Sequence, residues 1–301
     1  METRKELPVY QDRYILGTAG LGGVWAKIDP EESVKAILVS LEQGITAIDT
    51  APAYGDAEEL LGKAFRQWKG SLPRLSTKVG RLKSYSATEA YYDYSGSGME
   101  KSVVNSLRVL NVPVLDVLLL HDPSAIPPAD VEAVIRKMLS FKDKGYARQI
   151  GLGGNSPDWF KKYLTANVFD VVVEYNRLDA CCLDALNTTL PCCQSQGMRF
   201  WAASPLRMGL LGNCYDVFAE NRPPWVSAAN LACAGRLQKI AAQYHMALPA
   251  LAHRFLLSLP HSFDIVMGAA NLPQLLETLA AIKEGPLPHT LFTAIIRNMN
   301  Q

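Results

Sequence analysis

This sequence lacks an excess of charge of either sign: 30 Lys+Arg stand against 29 Asp+Glu, a formal charge of +1. A nucleic-acid binder usually carries a basic excess or stripe, and no local run supplies one, so no nucleic-acid partner is expected. Long hydrophobic runs are missing too. The longest, Val112–Leu120, is broken by Pro113 and Asp116. It falls short of the ~20 apolar residues of a membrane helix, so no membrane partner is expected either. Met1 to Asp12 is polar and mixed in charge, unlike a secretory leader. Metal-ligand spacing is also absent. The cysteines are Cys181, Cys182, Cys192, Cys193, Cys214 and Cys233; adjacent pairs are not the C-x-x-C clips of zinc sites, no histidine lies near, and no metal is expected. Cys181 and Cys192 are separated by about three helical turns, which predicts that both line one buried helix face as packing thiols. These absences predict a soluble cytoplasmic protein; a monomer or small homo-oligomer is expected.

What is present is an ordinary globular interior, with 49% hydrophobic and 20% charged residues in a chain of 301, which argues against disorder. At roughly 150 residues per domain two domains are the naive expectation, yet a closed α/β barrel occupies about 250 as one. Apolar, β-branched runs decide between them. Strands are predicted at Ile15–Ala19, Thr46–Asp49, Leu75–Val79, Leu115–His121, Arg148–Leu152, Phe169–Glu174, Arg199–Ala203 and Ile265–Gly268. Most lack period-two alternation, as parallel strands covered on both faces do. Helical patterns follow at Pro30 to Gly44, Ala57–Trp68, Glu100–Leu110, Ala129–Lys144, Pro157–Leu164, Leu183–Gln194, Ala228–Tyr244 and Leu272–Lys283. Extra helices are expected at Leu248–Leu259 and from Thr290 to the end.

Eight such units predict a single (β/α)8 TIM barrel over residues 1–301, with extra helices and long loops at its C-terminal face. A doubly wound dinucleotide fold would require G-x-G-x-x-G. Gly20-Leu21-Gly22-Gly23-Val24-Trp25 and Gly151-Leu152-Gly153-Gly154-Asn155-Ser156 both fail at the third glycine. Two connections, Gly80–Gly98 and Arg207–Ser227, exceed the ~12–15 residues at which a loop suggests function, and are expected to form a lid or substrate wall.

Three consecutive strands end in ionisable groups: Asp49, Lys78 and His121. Each alone could mark where a strand meets solvent; three in succession converge on the rim where barrels position catalysis. Tyr54 follows Asp49 in the Pro/Gly-punctuated turn Asp-Thr-Ala-Pro-Ala-Tyr-Gly, which can fold the phenol over the barrel mouth. A phenol with pKa near 10 carries protons poorly at neutral pH, so Lys78, kept charged by Asp49, is expected to lower it. His121 shares or relays the proton.

In this order and at these strand ends, the four residues resemble the catalytic tetrad of the aldo-keto reductases. The likeness runs from Gly17-Thr18-Ala19-Gly20 to Gly268-Ala269-Ala270-Asn271. Tyr92-Asp93-Tyr94-Ser95, Leu119-Leu120-His121-Asp122-Pro123, Ala203-Ser204-Pro205-Leu206-Arg207 and Arg222-Pro223-Pro224-Trp225 are most similar to the sugar-oxidising branch, the D-threo-aldose, L-fucose and L-galactose dehydrogenases. The resemblance implies catalysis by Tyr54, Asp49, Lys78 and His121. It implies cofactor contacts from Thr18, Asp49, Asn155, Ser204, Pro205, Leu206, Gly209, Leu210, Gly268, Ala270 and Gln274. Substrate contacts would come from Trp25, Tyr54, His121, Asp122 and Trp225.

The chain departs from the family where the nicotinamide is held. Gly153 and Gly154 replace Ser-Asn, with Asn155 as a substitute; Ala203 replaces an aromatic residue; Val172 stands in place of a glutamine. Relatives that prefer NADP place a cation near Ala270 to pair with the 2′-phosphate, and none lies between His261 and Lys283. Charge-assisted bonds of about 1.5–3 kcal/mol each would go unmade, so NAD is expected as cofactor, with NADP as the alternative. The expected activity is oxidation of an aldose C1 hemiacetal to the aldonolactone. Alternatives are a carbonyl or aldehyde reductase, a pyridoxal-type dehydrogenase, or a non-catalytic cofactor-binding regulatory barrel.

Overall fold

The apolar runs pair with one another in chain order, each parallel to the next, in the computed structural model, which describes residues 10–299. Most of Met1 to Asp12, read above as unlike a leader, lies outside the described residues. The strands are β1 (Tyr14–Gly17), β2 (Ala47–Asp49), β3 (Arg74–Val79), β4 (Leu115–His121), β5 (Ala147–Gly153), β6 (Val171–Tyr175), β7 (Arg199–Ala203) and β8 (Asp264–Gly268). Gly17 pairs with both Asp49 and Gly268, so β8 closes on β1 and leaves no edge. The helices are α1 (Pro30–Glu42), α2 (Ala57–Gln67), α3 (Gly96–Leu110), α4 (Val131–Asp143), α5 (Asp184–Asn187), α6 (Thr189–Ser195), α7 (Tyr215–Glu220), α8 (Ala228–Gln243), α9 (Leu248–Ser258), α10 (Leu272–Lys283) and α11 (His289–Met299).

Two apolar layers explain why the strands do not alternate polar with apolar. Ile15, Ala47, Val117, Leu119, Val171, Val173, Trp201 and Val266 fill the barrel. Their neighbours, among them Leu16, Ile48, Leu118, Leu120, Val172, Phe200 and Met267, point outward and pack under the helices. Each large side chain so buried contributes about 1.5–3 kcal/mol. Helix starts are capped: Asp29 accepts from Glu31 N at 2.9 Å, Ser227 from Asn230 N at 3.1 Å and Asn271 from Gln274 N at 3.0 Å. No helix of the described residues is long and apolar enough to cross a membrane.

Several boundaries differ from those expected. α3 begins at Gly96 rather than Glu100, because Ser95 caps it through Gly98 N at 3.1 Å and Gly96 and Gly98 join the first turn. The segment Pro157–Leu164 is a 3-10 helix over Asp158–Tyr163. Leu183–Gln194 breaks at Thr188 (φ −128°, ψ −90°) into α5 and α6. Cys181 therefore lies before α5, outside any helix, and its predicted shared face with Cys192 is wrong; its Sγ lies instead 4.0 Å from Asn230 O on α8. Neither long connection is irregular throughout: Arg81 and Tyr92 bridge the first, and the second holds a 3-10 turn at Arg207–Gly209 and α7.

Candidate active site

Side chains alternate along a strand, so the inward layer of each strand ends at a definite residue. From β1 to β8 these are Gly17, Asp49, Lys78, His121, Gly153, Tyr175, Ala203 and Gly268. The polar residues stand together on β2–β4. Lys78 Nζ donates to Asp49 Oδ2 at 2.5 Å and to Thr50 O at 2.9 Å, while Ser76 Oγ donates to Asp49 Oδ1 at 2.7 Å. Burial alone would push Lys78 down, yet Asp49 and Tyr54 hold it above its ordinary value.

Tyr54 reaches this cluster from the turn before α2. Gly22 and Gly55 make the turn possible. A Cβ on Gly22 would lie 1.9 Å from Tyr54 O; one on Gly55 (φ +56°) would lie 2.1 Å from Gly22 O. Only two bare Cα atoms let these backbones approach. The Lys78 ammonium then sits 4.7 Å from the Tyr54 ring centroid. The Tyr54 and His121 rings meet edge-on, with centroids 5.8 Å apart at 89°. His121 is buried and its Nδ1 has no partner. Burial, then the charges of Lys78 and Arg81, hold its pKa well below the usual imidazole value, so the ring is neutral.

The phenol does not follow the expected direction. Burial raises the Tyr54 pKa; Lys78 opposes it, and Asp49 and Asp122 add to it, leaving the phenol above its ordinary value. Asp49 absorbs much of the ammonium's field, a cost that a count of nearby positive charges overlooks. Tyr54 is therefore a protonated acid at neutral pH.

One ion pair at this rim carries no motif in the sequence. Arg81 Nη1 donates to Asp122 Oδ2 at 3.2 Å, and Tyr92 Oη donates to the same oxygen at 3.0 Å. Tyr94 Oη donates to the carbonyls of His121 (2.7 Å) and Asp122 (3.0 Å), fastening the β3–α3 loop to the end of β4. The available signal was positional: opposite charges just past neighbouring strand ends.

Across the mouth the layer is bare. Gly17, Gly153, Ala203 and Gly268 offer no bulk, and a Cβ on Gly268 would meet nothing within 4 Å. Val172, read as replacing a glutamine, faces outward; Val173 is the inward neighbour. Asn155 does not offer a free amide: it donates to Tyr175 O at 3.2 Å and accepts from Tyr175 N at 3.1 Å. Thr18 Oγ1 donates to Asp49 O at 3.1 Å. Ser204, Pro205, Leu206, Gly209 and Leu210 lie in the loop after β7, whose backbone is left-handed at Ser204, Arg207, Met208 and Gly209. Arg207 anchors that loop from below: its Nε donates to Asp179 Oδ1 at 3.2 Å, its Nη2 donates to Asn176 O at 3.0 Å, and the guanidinium lies 2.9 Å from Asp179 Oδ2 as an ion pair. Ala270 N donates to Gln274 Oε1 at 3.0 Å, closing the turn into α10.

Asp49, Tyr54, Lys78, His121 and Asp122 are thus brought together. Trp25 and Trp225 stand about half exposed on rim loops, and Trp225 packs edge-on against Phe218. Among the described residues, neither shares a hydrogen bond or ring contact with any of these five. No group of three or more metal-ligating side chains occurs among the described residues. A nicotinamide dinucleotide fits the bare side: the glycine floor admits a flat ring, and the positive end of α10 beside Gly268–Asn271 suits a phosphate.

The profile of the aldo/keto reductase family matches residues 13–297. The chain is 26% identical to the NADH-specific methylglyoxal reductase of Escherichia coli over 294 residues (89% of this chain, 88% of that one). It is 27% identical to the L-galactose dehydrogenase of Arabidopsis thaliana over 291 residues (89% and 83%). In fold it is similar to the glycerol dehydrogenase of Gluconobacter oxydans, with a TM-score of 0.75 at 23% identity, covering 95% of this chain and 91% of that one.

Proposed function

The chain belongs to the aldo/keto reductase family, and from that premise we propose that it oxidises the C1 hemiacetal of an aldose to the aldonolactone with NAD. The observation that carries this is the tetrad geometry, Tyr54 held between Lys78 and a neutral His121 beside an uncluttered glycine floor. A bound nicotinamide cofactor supplies the two-electron hydride acceptor. The proton belongs to the protein. The C1 hydroxyl hydrogen-bonds to Tyr54 Oη and His121, and Tyr54 in its phenolate form takes the proton. Lys78 offsets the burial that disfavours phenolate, and Asp49 keeps Lys78 charged and oriented. The L-galactose dehydrogenase among the relatives supports the substrate class, and the absence of a cation from His261 to Lys283 supports NAD over NADP. Trp25 and Trp225 supply aromatic faces for the sugar.

A second direction has one observation in its favour. The protonated Tyr54 is ready to donate to a carbonyl oxygen, so the alternative reading is a carbonyl or aldehyde reductase using NADH. The test is cofactor reduction against L-fucose, L-galactose, D-arabinose, L-xylose and pyridoxal, with NAD and NADP, and the reverse assay on aldehydes. Tyr54→Phe is expected to cost about 100-fold or more in kcat while the cofactor still binds; retained turnover defeats the assignment. Because the phenol lies above its ordinary value, the phenolate fraction grows tenfold per pH unit through neutrality. Oxidative kcat/KM should climb with pH toward 9 while reduction stays flat. An oxidative plateau reached by pH 7 contradicts the role given to Tyr54.

A further inference from the structure

The rim charge pair does no work in the proton transfer, yet it is held by several contacts. Asp122 adopts a left-handed backbone (φ 48°), its N–H donates to Gly153 O at 3.0 Å, and its carbonyl is held by Tyr94. A non-glycine residue kept in that conformation by its surroundings is a frequent mark of a functional position. Both side-chain donors, Arg81 Nη1 and Tyr92 Oη, fall on Oδ2. An ionised carboxylate offers about four acceptor positions over two oxygens. Oδ1 is thus left over, beside the bare Cα of Gly154, where even a Cβ would come within 3.2 Å. It follows His121 directly, and both sit at the same end of β4.

We propose that Asp122, held by Arg81 and Tyr92, accepts a hydrogen bond from the substrate hydroxyl on the carbon next to the reacting one. The substrate is then a neutral polyhydroxylated compound, and not a simple aldehyde or a carbonyl compound carrying phosphate or carboxylate. This rests on the reaction proposed above and narrows its substrate. Charge balance around the mouth supports the neutral class. Lys78 is paired with Asp49, Arg81 with Asp122, and Lys83 with both Asp56 and Glu59. An anionic group would meet the Asp122 carboxylate with no unpaired cation among these three to hold it. Arg81 acts as a positioning residue: Nη1 is committed to Asp122, Nη2 to Glu89 O at 3.3 Å, and Nε is buried.

The experiment compares kcat/KM for the best aldose of the panel with that for its 2-deoxy counterpart, for example D-arabinose against 2-deoxy-D-ribose. The wild type should favour the parent sugar by about 10- to 100-fold, the range for one hydrogen bond to a charged group. Asp122→Asn should lower that ratio by about tenfold, mainly through KM of the parent sugar. Tyr92→Phe, which keeps the carboxylate and loses one tether, should lower it by about 2- to 10-fold. An unchanged ratio in Asp122→Asn, or equal losses on both sugars, overturns this inference while leaving the reaction standing. Turnover confined to carbonyl compounds without a neighbouring hydroxyl overturns both.

Discussion

The two sides of the barrel mouth are built by opposite means. On β2–β4 every position at the strand end is filled by a polar side chain, and most are tied down: Lys78 to Asp49 and Thr50, Asp49 also to Ser76, Asp122 Oδ2 to Arg81 and Tyr92, which leaves His121 Nδ1 and Asp122 Oδ1 over. On β5, β7, β8 and β1 the equivalent positions are Gly153, Ala203, Gly268 and Gly17. Tyr175 of β6 interrupts the bare side, between Gly153 of β5 and Ala203 of β7. The filled side fixes proton affinities by burial and close charges. The empty side fixes a shape by leaving out atoms. The difference separates two requirements of a redox barrel, since titrating groups must be held rigidly and a large flat partner needs only room and a helix end.

Adding bulk to the empty side is the most damaging way to challenge this division. Gly268 has an ordinary φ and open space around its missing Cβ, so Gly268→Leu should fold with an unchanged Tm. It should weaken NAD binding by about 100-fold or more, or ~2.7 kcal/mol, because the side chain occupies the floor. Fluorescence titration with NAD measures this. Wild-type affinity in the variant would mean that the glycine floor is not where the ring lies.

What could be read in advance follows the same division. Charges that close apolar runs stand out in a linear string, so Asp49, Lys78 and His121 were visible, and β4 and β7 match their expected bounds. Empty space does not stand out: glycines at strand ends look like loop punctuation until the parallel register brings Gly17 beside Gly268. Arg81 and Asp122 are 41 positions apart and meet only because β3 and β4 are neighbours. Asn155 looked free because its partner, the Tyr175 backbone, lies on the next strand. The Tyr54 proton affinity is illegible in the sequence for a different reason. Charges can be counted from sequence, whereas burial and the 2.5 Å Asp49–Lys78 contact need coordinates.

A second challenge loosens the empty side without filling it. Asp179 holds the Arg207 guanidinium through both oxygens and accepts from Cys181 N at 2.7 Å, beneath the left-handed turn that follows β7. Asp179→Asn leaves a buried guanidinium without its counter-charge, which should cost about 3 kcal/mol in urea unfolding. If the two sides are independent, KM for NAD rises while the alkaline climb of oxidative kcat/KM keeps its slope. A change in that slope would show that the loop after β7 also governs Tyr54.

The smallest effect lies behind the filled side. Glu58 of α2 accepts from Thr77 Oγ1 at 2.6 Å and Ser106 Oγ at 3.1 Å. Burial outweighs these bonds and pushes its carboxyl up to about 7. The folded protein therefore holds a proton there that the unfolded chain, titrating near 4.3, has already lost. Stability from this group is fully present below about pH 4, falls by about 4 kcal/mol at most as pH rises toward 7, and is flat above. Glu58→Gln removes the charge but keeps an acceptor, so relative to wild type it should be about 2–3 kcal/mol more favourable at pH 8 than at pH 5. Urea unfolding at the two pH values decides this, and parallel stability curves would reject the buried proton. Thr77 points outward from β3 and Lys78 inward, so the same substitution should leave the pH profile of turnover in place. A displaced profile would show that the charge outside the sheet reaches the tetrad through it.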